Sequence, residues 1–302
     1  MKAAFVVVNY NQSRITVGQV ASIRFLENSD SLVAIVVVDN GSTPEDLAFL
    51  KNALADTPGV VIVPSETNLG YSGGMNLGLR YLKNHGIDCD YVIAGNNDIL
   101  FDRDFLTVLA SRAYPREAFV VVPDVITLTG RHQNPQRYTE EKTFRDRVLR
   151  WRMKNFFFFR VFEFLYARFG RKRAEARGRI VDPSRPVLER IALPIGALFV
   201  FTRGYLESCG TLEEIIFLWN EEPLLAEQVR RAGGEIWLDR NLRCLHFESV
   251  TVGKMTSRRM FRLYRESQRT VEAYLSGKLD LQHQPGFHDD SPVGDAARHH
   301  TQ

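Results

Sequence analysis

The chain has 302 residues, 44% of them hydrophobic, and a formal net charge of +3, enough for one large domain or two small ones with a full core. That balance argues against a polyanion binder as a whole, so no nucleic-acid partner is expected. Cys89, Cys209 and Cys244 are too few and too widely spaced for a disulfide scaffold and suit a reducing cytosol.

The chain opens Met1-Lys2-Ala3-Ala4 and enters an apolar run at once, which predicts a strand rather than a secretory leader. No uninterrupted stretch of about 18 apolar residues predicts a membrane span. Residues 3–8, 33–38, 60–63 and 91–94 are short, continuous and mostly β-branched. Runs without alternation predict strands buried on both faces, hence a parallel sheet. Between them lie helical patterns. Residues 13–27 carry Ile15, Val20, Ile23 and Leu26 at helical spacing. Residues 44–55 follow Ser42-Thr43-Pro44-Glu45, a capped start with Pro in the first turn. Residues 73–84 are the third. The alternation predicts a doubly wound nucleotide-binding half. Further on, 119–122 and 197–201 predict strands. A helix over 221–232 closes at Gly233-Gly234, and two short strands follow at 236–238 and 242–246. An amphipathic helix is expected over 256–275, with many Arg on one side, and a disordered tail over 279–302.

The stretch 144–179 differs from the rest. Trp151, Phe156, Phe157, Phe158, Phe159, Phe162, Phe164, Leu165, Tyr166 and Phe169 are interleaved with about a dozen Arg and Lys and few acids. This composition suits a surface helix at an anionic membrane interface. The alternatives are a lid or packing helix, or a homodimer contact.

Three of these four strands end in a polar cluster: Asn9-Tyr10-Asn11, Asp39-Asn40-Gly41-Ser42, then Asn96-Asn97-Asp98. A carboxylate and two amides at the end of a buried strand are costly unless they bind something. Parallel strands point the same way, so the clusters share the rim where open α/β sheets bind ligands. Any one of them fits a helix cap; three together predict a site. The run Asn68-Leu69-Gly70-Tyr71-Ser72-Gly73-Gly74-Met75-Asn76 allows close backbone approach to a ligand at a helix N-terminus. The alternative is a tight loop with helix packing. Glu221 and Glu222 open a predicted helix, either as first-turn acids or as a general base. A lone His246 is more often structural than a ligand.

Taken in order, Val8-Asn9-Tyr10-Asn11, Val38-Asp39-Asn40-Gly41-Ser42, Asn68-Leu69-Gly70 with Gly73-Gly74-Met75-Asn76-Leu77-Gly78, Asn96-Asn97-Asp98, Pro194-Ile195-Gly196-Ala197, residues 217–222, Arg230-Arg231-Ala232-Gly233 and His246-Phe247-Glu248-Ser249 resemble family 2 glycosyltransferases. The nearest likeness is to the rhamnosyltransferase-like branch that builds bacterial surface polysaccharides. It covers residues 1 to about 255 as one domain, with 144–179 as an insertion. The resemblance implies a GT-A fold, Rossmann-like, with a mixed, mostly parallel central sheet flanked by helices. It implies inverting transfer from a UDP- or dTDP-sugar to a glycan or polyprenyl-linked acceptor, possible on the inner face of the cell membrane. By the same resemblance Val8, Asn9, Tyr10, Asp39, Ser42, Asn68, Gly70, Gly73, Gly74, Asn76, Asn96 and Asn97 bind the nucleotide-sugar. Ile195, Gly196, Ala197 and Trp219 line the donor and acceptor pocket. Asp98 holds Mg2+ or Mn2+ with help from His246, and Glu222, beside Glu221, is the base. The family's second acid after the base is absent, with Leu224 in its place. A sugar-nucleotide nucleotidyltransferase is the competing enzyme class, but it needs a basic Gly-rich loop where Asn9-Tyr10-Asn11-Gln12 stands. A non-catalytic sugar-nucleotide binder is the other alternative.

Overall fold

The computed structural model describes residues 1–141, 148, 151, 153–170, 182–248 and 257–279. In the first half β1 (Ala3–Asn9), β2 (Leu32–Asn40), β3 (Val60–Ser65) and β4 (Tyr91–Asn96) alternate with α1 (Ser13–Arg24), α2 (Pro44–Leu54) and α3 (Gly70–Asn84). The strands pair in parallel in the order β3-β2-β1-β4. β1, β2 and the centre of β4 are buried on both faces, as their unbroken apolar runs require. β3 is the edge strand and is only partly covered. Val8 stands level with Val38 on one side and Asn96 on the other, so the three polar strand ends do meet at one rim.

The second half holds β5 (Ile99–Phe101), α4 (Phe105–Ser111), β6 (Ala118–Thr127), α5 (Phe156–Leu165), β7 (Leu188–Ile191), β8 (Leu198–Thr202), α6 (Arg203–Ser208), α7 (Glu221–Arg231), β9 (Glu235–His246) and α8 (Ser257–Leu275). It extends the sheet as β8-β6-β9-β5, with β7 on β9. β8 runs antiparallel to both β4 and β6, while β6 and β9 are parallel. The result is one nine-stranded mixed sheet with helices on both faces.

Two cores sandwich it. Phe5 and Val7 face one way, onto α1, α2 and α4 through Ile23, Leu50 and Phe105. Ala4 and Val6 face the other, onto α3 and α7 through Met75, Leu79 and Leu225. This is the period-two alternation of a strand between two helical layers. Each fully buried Phe or Ile there is worth about 1.5–3 kcal/mol.

Two expectations are corrected, and one strand is added that sequence reasoning did not foresee. Residues 236–238 and 242–246 form one strand, because a register shift against β6 between Pro123 and Asp124 absorbs Arg240, Asn241 and Leu242 instead of ending the pairing. α3 starts at Gly70 rather than residue 73. Ile99, Leu100 and Phe101 form a strand of their own, antiparallel to β9, directly after the Asn96-Asn97-Asp98 turn. The expected tail falls outside the described residues from 280 onward, as does much of 144–179.

Candidate active site

The rim contains two different polar groups. The first is a closed knot around Asn9, which is fully buried. Its amide nitrogen lies 2.9 Å from Asp39 Oδ1 and 3.0 Å from Asp46 Oδ2, and its Oδ1 accepts from Thr16 Oγ1 at 2.7 Å. The backbone N–H of Ser42 donates to Asp39 Oδ2 at 3.3 Å, and Ser13 Oγ donates to Asp46 Oδ2 at 2.6 Å. Hydrogen bonding of this density is what lets Asp39 stay 1% exposed. The knot ties the ends of β1 and β2 to α1 and α2.

Beside it opens a cavity of about 340 Å³, a size suited to a small ligand. Val8, Tyr10, Asn68, Gly70, Asn96, Asn97, Asp98, Ile195, Gly196, Ala197, Trp219, Glu221, Glu222 and His246 line it. Asn9, Asp39, Ser42, Gly73, Gly74 and Asn76 are not on its wall. Gly74 lies where a Cβ would sit 2.9 Å from Val8 Cγ1 and 3.1 Å from Asn40 Nδ2, so its close approach is to the sheet. Asn76 binds the 212–214 loop, donating to Leu212 O at 2.8 Å and Glu214 Oε1 at 2.6 Å.

Gly70 needs to be glycine. Its φ is +76°, and a Cβ would fall 2.2 Å from the Phe217 carbonyl oxygen. That approach, with Tyr71 N donating to Phe217 O at 3.0 Å, pins the loop that carries Trp219. Trp219 and Asn220 both have φ of 66°, a conformation unusual for non-glycine residues and costly for a large side chain. Contacts from α8 hold them there: Ser267 Oγ donates to Leu218 O at 2.7 Å, and the Trp219 and Tyr264 rings lie 6.0 Å apart.

The loop delivers Glu221 and Glu222 to the start of α7. Glu222 Oε1 accepts from Gly196 N at 3.1 Å and from Gln136 Nε2 at 3.0 Å. A side chain at residue 196 would crowd that carboxylate, since a Cβ would lie 3.0 Å from Oε1. Burial raises the Glu222 carboxyl above its ordinary range. Burial, then the charge of Glu222, pushes Glu221 up to about 8, and one Glu221 oxygen lacks a hydrogen-bond partner. The Tyr71 hydroxyl donates to the Gly196 carbonyl, and its pKa is raised by burial and by Glu221 and Glu222.

Across the turn after β4, Asp98 Oδ1 lies 3.3 Å from His246 Nε2, because β5 and β9 place Ile99 opposite His246. His246 Nδ1 is 2.8 Å from Gln133 Oε1, while Gln133 Nε2 donates to Glu248 Oε1 at 3.0 Å. With the amide so oriented, Gln133 Oε1 is an acceptor for Nδ1, and Nε2 is turned towards the Asp98 carboxylate. Two electron-pair donors facing each other are matched by a shared proton or a divalent cation. A hard oxygen beside an imidazole fits Mn2+ or Mg2+ as a partial ligand set. Among the described residues no group of three or more His, Cys, Asp or Glu could hold a metal alone, so other ligands must complete the shell.

Sequence reasoning placed most of the wall but missed Gln133 and Gln136, which orient the imidazole and the carboxylate. They lie in His132-Gln133-Asn134-Pro135-Gln136, a polar loop after β6 without a recognisable spacing. Tyr71 carried a signal: it is the aromatic residue inside the Gly-rich run.

The family model for Glycosyl transferase family 2 matches residues 5–172. Among solved structures, GalNAc-T7 with UDP, GalNAc and Mn2+ is similar at a TM-score of 0.59 and 14% identity, over 83% of this chain and 44% of that one. The mannosyltransferase PcManGT of Pyrobaculum calidifontis, in complex with GDP-Man and Mn2+, gives 0.52 and 16% over 90% and 64%. S. aureus TarS 1-349 in complex with UDP-GlcNAc gives 0.52 and 14% over 85% and 62%. At these identities the likeness is one of fold, and the chain spans less than two thirds of each of these structures. No curated protein matches the chain significantly.

Proposed function

We propose a reaction for this chain from one premise: it belongs to glycosyl transferase family 2 and has the GT-A fold. It transfers a sugar from a nucleoside-diphosphate donor, UDP- or dTDP-linked, to a hydroxyl of a glycan or polyprenyl-linked acceptor. The observation that carries this reading is the Glu222 carboxylate: fixed through Oε1, raised in pKa by burial, on the wall of the same cavity as Asp98 and His246.

Glu222 removes the proton from the acceptor hydroxyl, its raised pKa making it a better base at neutral pH. The oxygen attacks the anomeric carbon from the face opposite the diphosphate, and the configuration inverts. Glu221, its proton affinity raised by burial and by the charge of Glu222, keeps a second full charge off the site. Val8, Tyr10, Asn68, Gly70, Asn96 and Asn97 border the donor, and the knot of Asn9, Asp39 and Ser42 sets the loops beside its base. Gly73, Gly74 and Asn76 support those loops from behind. Ile195, Gly196, Ala197 and Trp219 form the sugar and acceptor side. Asp98 and His246 would hold Mg2+ or Mn2+, and that ion would neutralise charge developing on the departing diphosphate. The Mn2+ complexes of GalNAc-T7 and PcManGT support this. The order of motifs favours the rhamnosyltransferase-like, surface-polysaccharide branch, with residues 1–255 as the transferase domain.

A donor panel read by nucleoside-diphosphate release tests the reading. Release is expected with one UDP- or dTDP-hexose or deoxyhexose and an acceptor, and is expected to collapse in Glu222→Gln and Asp98→Ala. Undiminished transfer in both variants would sink the assignment.

A further inference from the structure

α8 has two faces with different tasks. On one, Ser267, Val271 and Tyr274 pack on the 215–219 loop and on Leu224 of α7. On the other, Arg258, Arg262, Arg265 and Arg269 recur at helical spacing. These four arginines, with Phe156, Phe261, Glu266 and Thr270, line a cleft of about 710 Å³ between α5 and α8. Arg258 lies over the Phe156 ring at 5.7 Å and Arg265 over Phe261 at 5.8 Å. None of the four pairs with a carboxylate among the described residues. Among the described residues Glu266 is the one acid on the cleft wall.

Next to the cleft α5 is split in the same way. Phe156 and Phe159 turn inward, with ring centroids 5.6 and 5.4 Å from Phe261. Phe157, Phe164 and Phe169 are 69%, 68% and 63% exposed, with Val161 and Leu165 also at the surface. Four guanidinium groups without a carboxylate partner among the described residues, beside a set of exposed phenyl rings, form the pattern of an interfacial surface, apolar residues entering the acyl boundary and arginines meeting phosphates. Charge identifies the occupant. Among the described residues the cleft wall carries Arg258, Arg262, Arg265 and Arg269 against Glu266 alone. A second copy bound through this face would bring the same positive excess against itself.

We propose that the α5–α8 face docks the protein on an anionic phospholipid bilayer, lipid phosphates entering the arginine cleft and Phe157, Phe164 and Phe169 the acyl boundary. This surface is independent of the transfer chemistry. It lies one helix away from the loop that carries Trp219, Glu221 and Glu222, which brings a membrane-borne acceptor to the catalytic cavity.

Flotation of the full chain with phosphatidylcholine vesicles, with and without phosphatidylglycerol, tests the proposal and does not depend on any sugar transfer. The protein is expected to float only with the anionic vesicles and to be released by high salt. The triple variant Arg262→Gln, Arg265→Gln, Arg269→Gln is expected to bind on the order of 100-fold more weakly. Phe157→Ser with Phe164→Ser, chosen because both side chains are exposed and their loss spares the fold, is expected to weaken binding as well. Unchanged thermal midpoints identify variants that fold. Equal flotation with neutral vesicles, no flotation, or undiminished flotation of the folded triple variant overturns the proposal. So does a wild-type dimer that the triple variant abolishes. Stabilisation by inorganic phosphate without flotation would assign the cleft to a soluble phosphate instead, and likewise overturns it.

Discussion

The rim holds two acidic groups of similar burial and opposite character. Around Asp39 and Asp46 the carboxylate oxygens are met by Asn9, Ser13 and backbone N–H donors. Asp98 instead stands beside an imidazole, and Glu221 and Glu222 stand side by side in a buried place that raises the proton affinity of both. The difference separates scaffold from chemistry: a satisfied carboxylate holds loops together, whereas a strained one is ready to take a proton or a cation.

That contrast can be broken or sharpened by substitution. The largest effect is expected at Glu222: Glu222→Gln keeps the shape and loses the base, so kcat should fall roughly 10²–10⁴-fold while donor binding, measured by calorimetry, persists. Asp98→Ala should lower transfer by roughly 10²-fold and weaken the response to added Mn2+, read by titrating the metal.

The next test uses pH. The Glu221 carboxyl is raised from 4.5 to about 8 in the fold, so the folded state holds a proton that the unfolded chain releases. The stability it contributes is full below 4.5 and is lost as pH rises through about 8. The thermal midpoint of the metal-free protein should therefore fall across that window. Glu221→Gln should flatten the decline; an unaltered slope would remove Glu221 as its source. On the scaffold side, Asn9→Ala should cost about 1–3 kcal/mol of stability in denaturant unfolding and leave kcat within about threefold. If instead nucleotide binding failed at full stability, the knot would belong to the site. The smallest effect is expected at Tyr71→Phe, which removes one hydrogen bond to Gly196 and should cost about 0.5–1.5 kcal/mol, readable as a modest loss of kcat.

The parallel half was legible because its signals are local. Short unbroken apolar runs rich in β-branched residues favour strands between two layers, and β1, β2 and β4 obey this. The single strand from Glu235 to His246 was not legible, since whether Asp239-Arg240-Asn241 breaks or bulges a strand depends on its partner β6. At the site, Asp98 and His246 could be paired in advance only through motif order; β5, which sets their register, is three residues long. Gln133 and Gln136 were invisible because an orienting amide has no characteristic spacing. The glycine run was ambiguous for a related reason: close approach to a ligand and close approach to a neighbouring strand select the same residue, and Gly74 turned out to approach Val8 and Asn40.

The bond from Ser267 to the Leu218 carbonyl has a consequence for where this protein can be cut. Among the described residues every strand of the sheet lies before residue 247, so a version ending near 255 retains all nine of them and both cores that sandwich them. It loses the helix on which Trp219 and Asn220 are held in their unfavourable backbone conformation. Such a fragment should fold, yet its carboxylates would no longer be held in register with Asp98: the smallest piece that folds and the smallest piece that works have different ends.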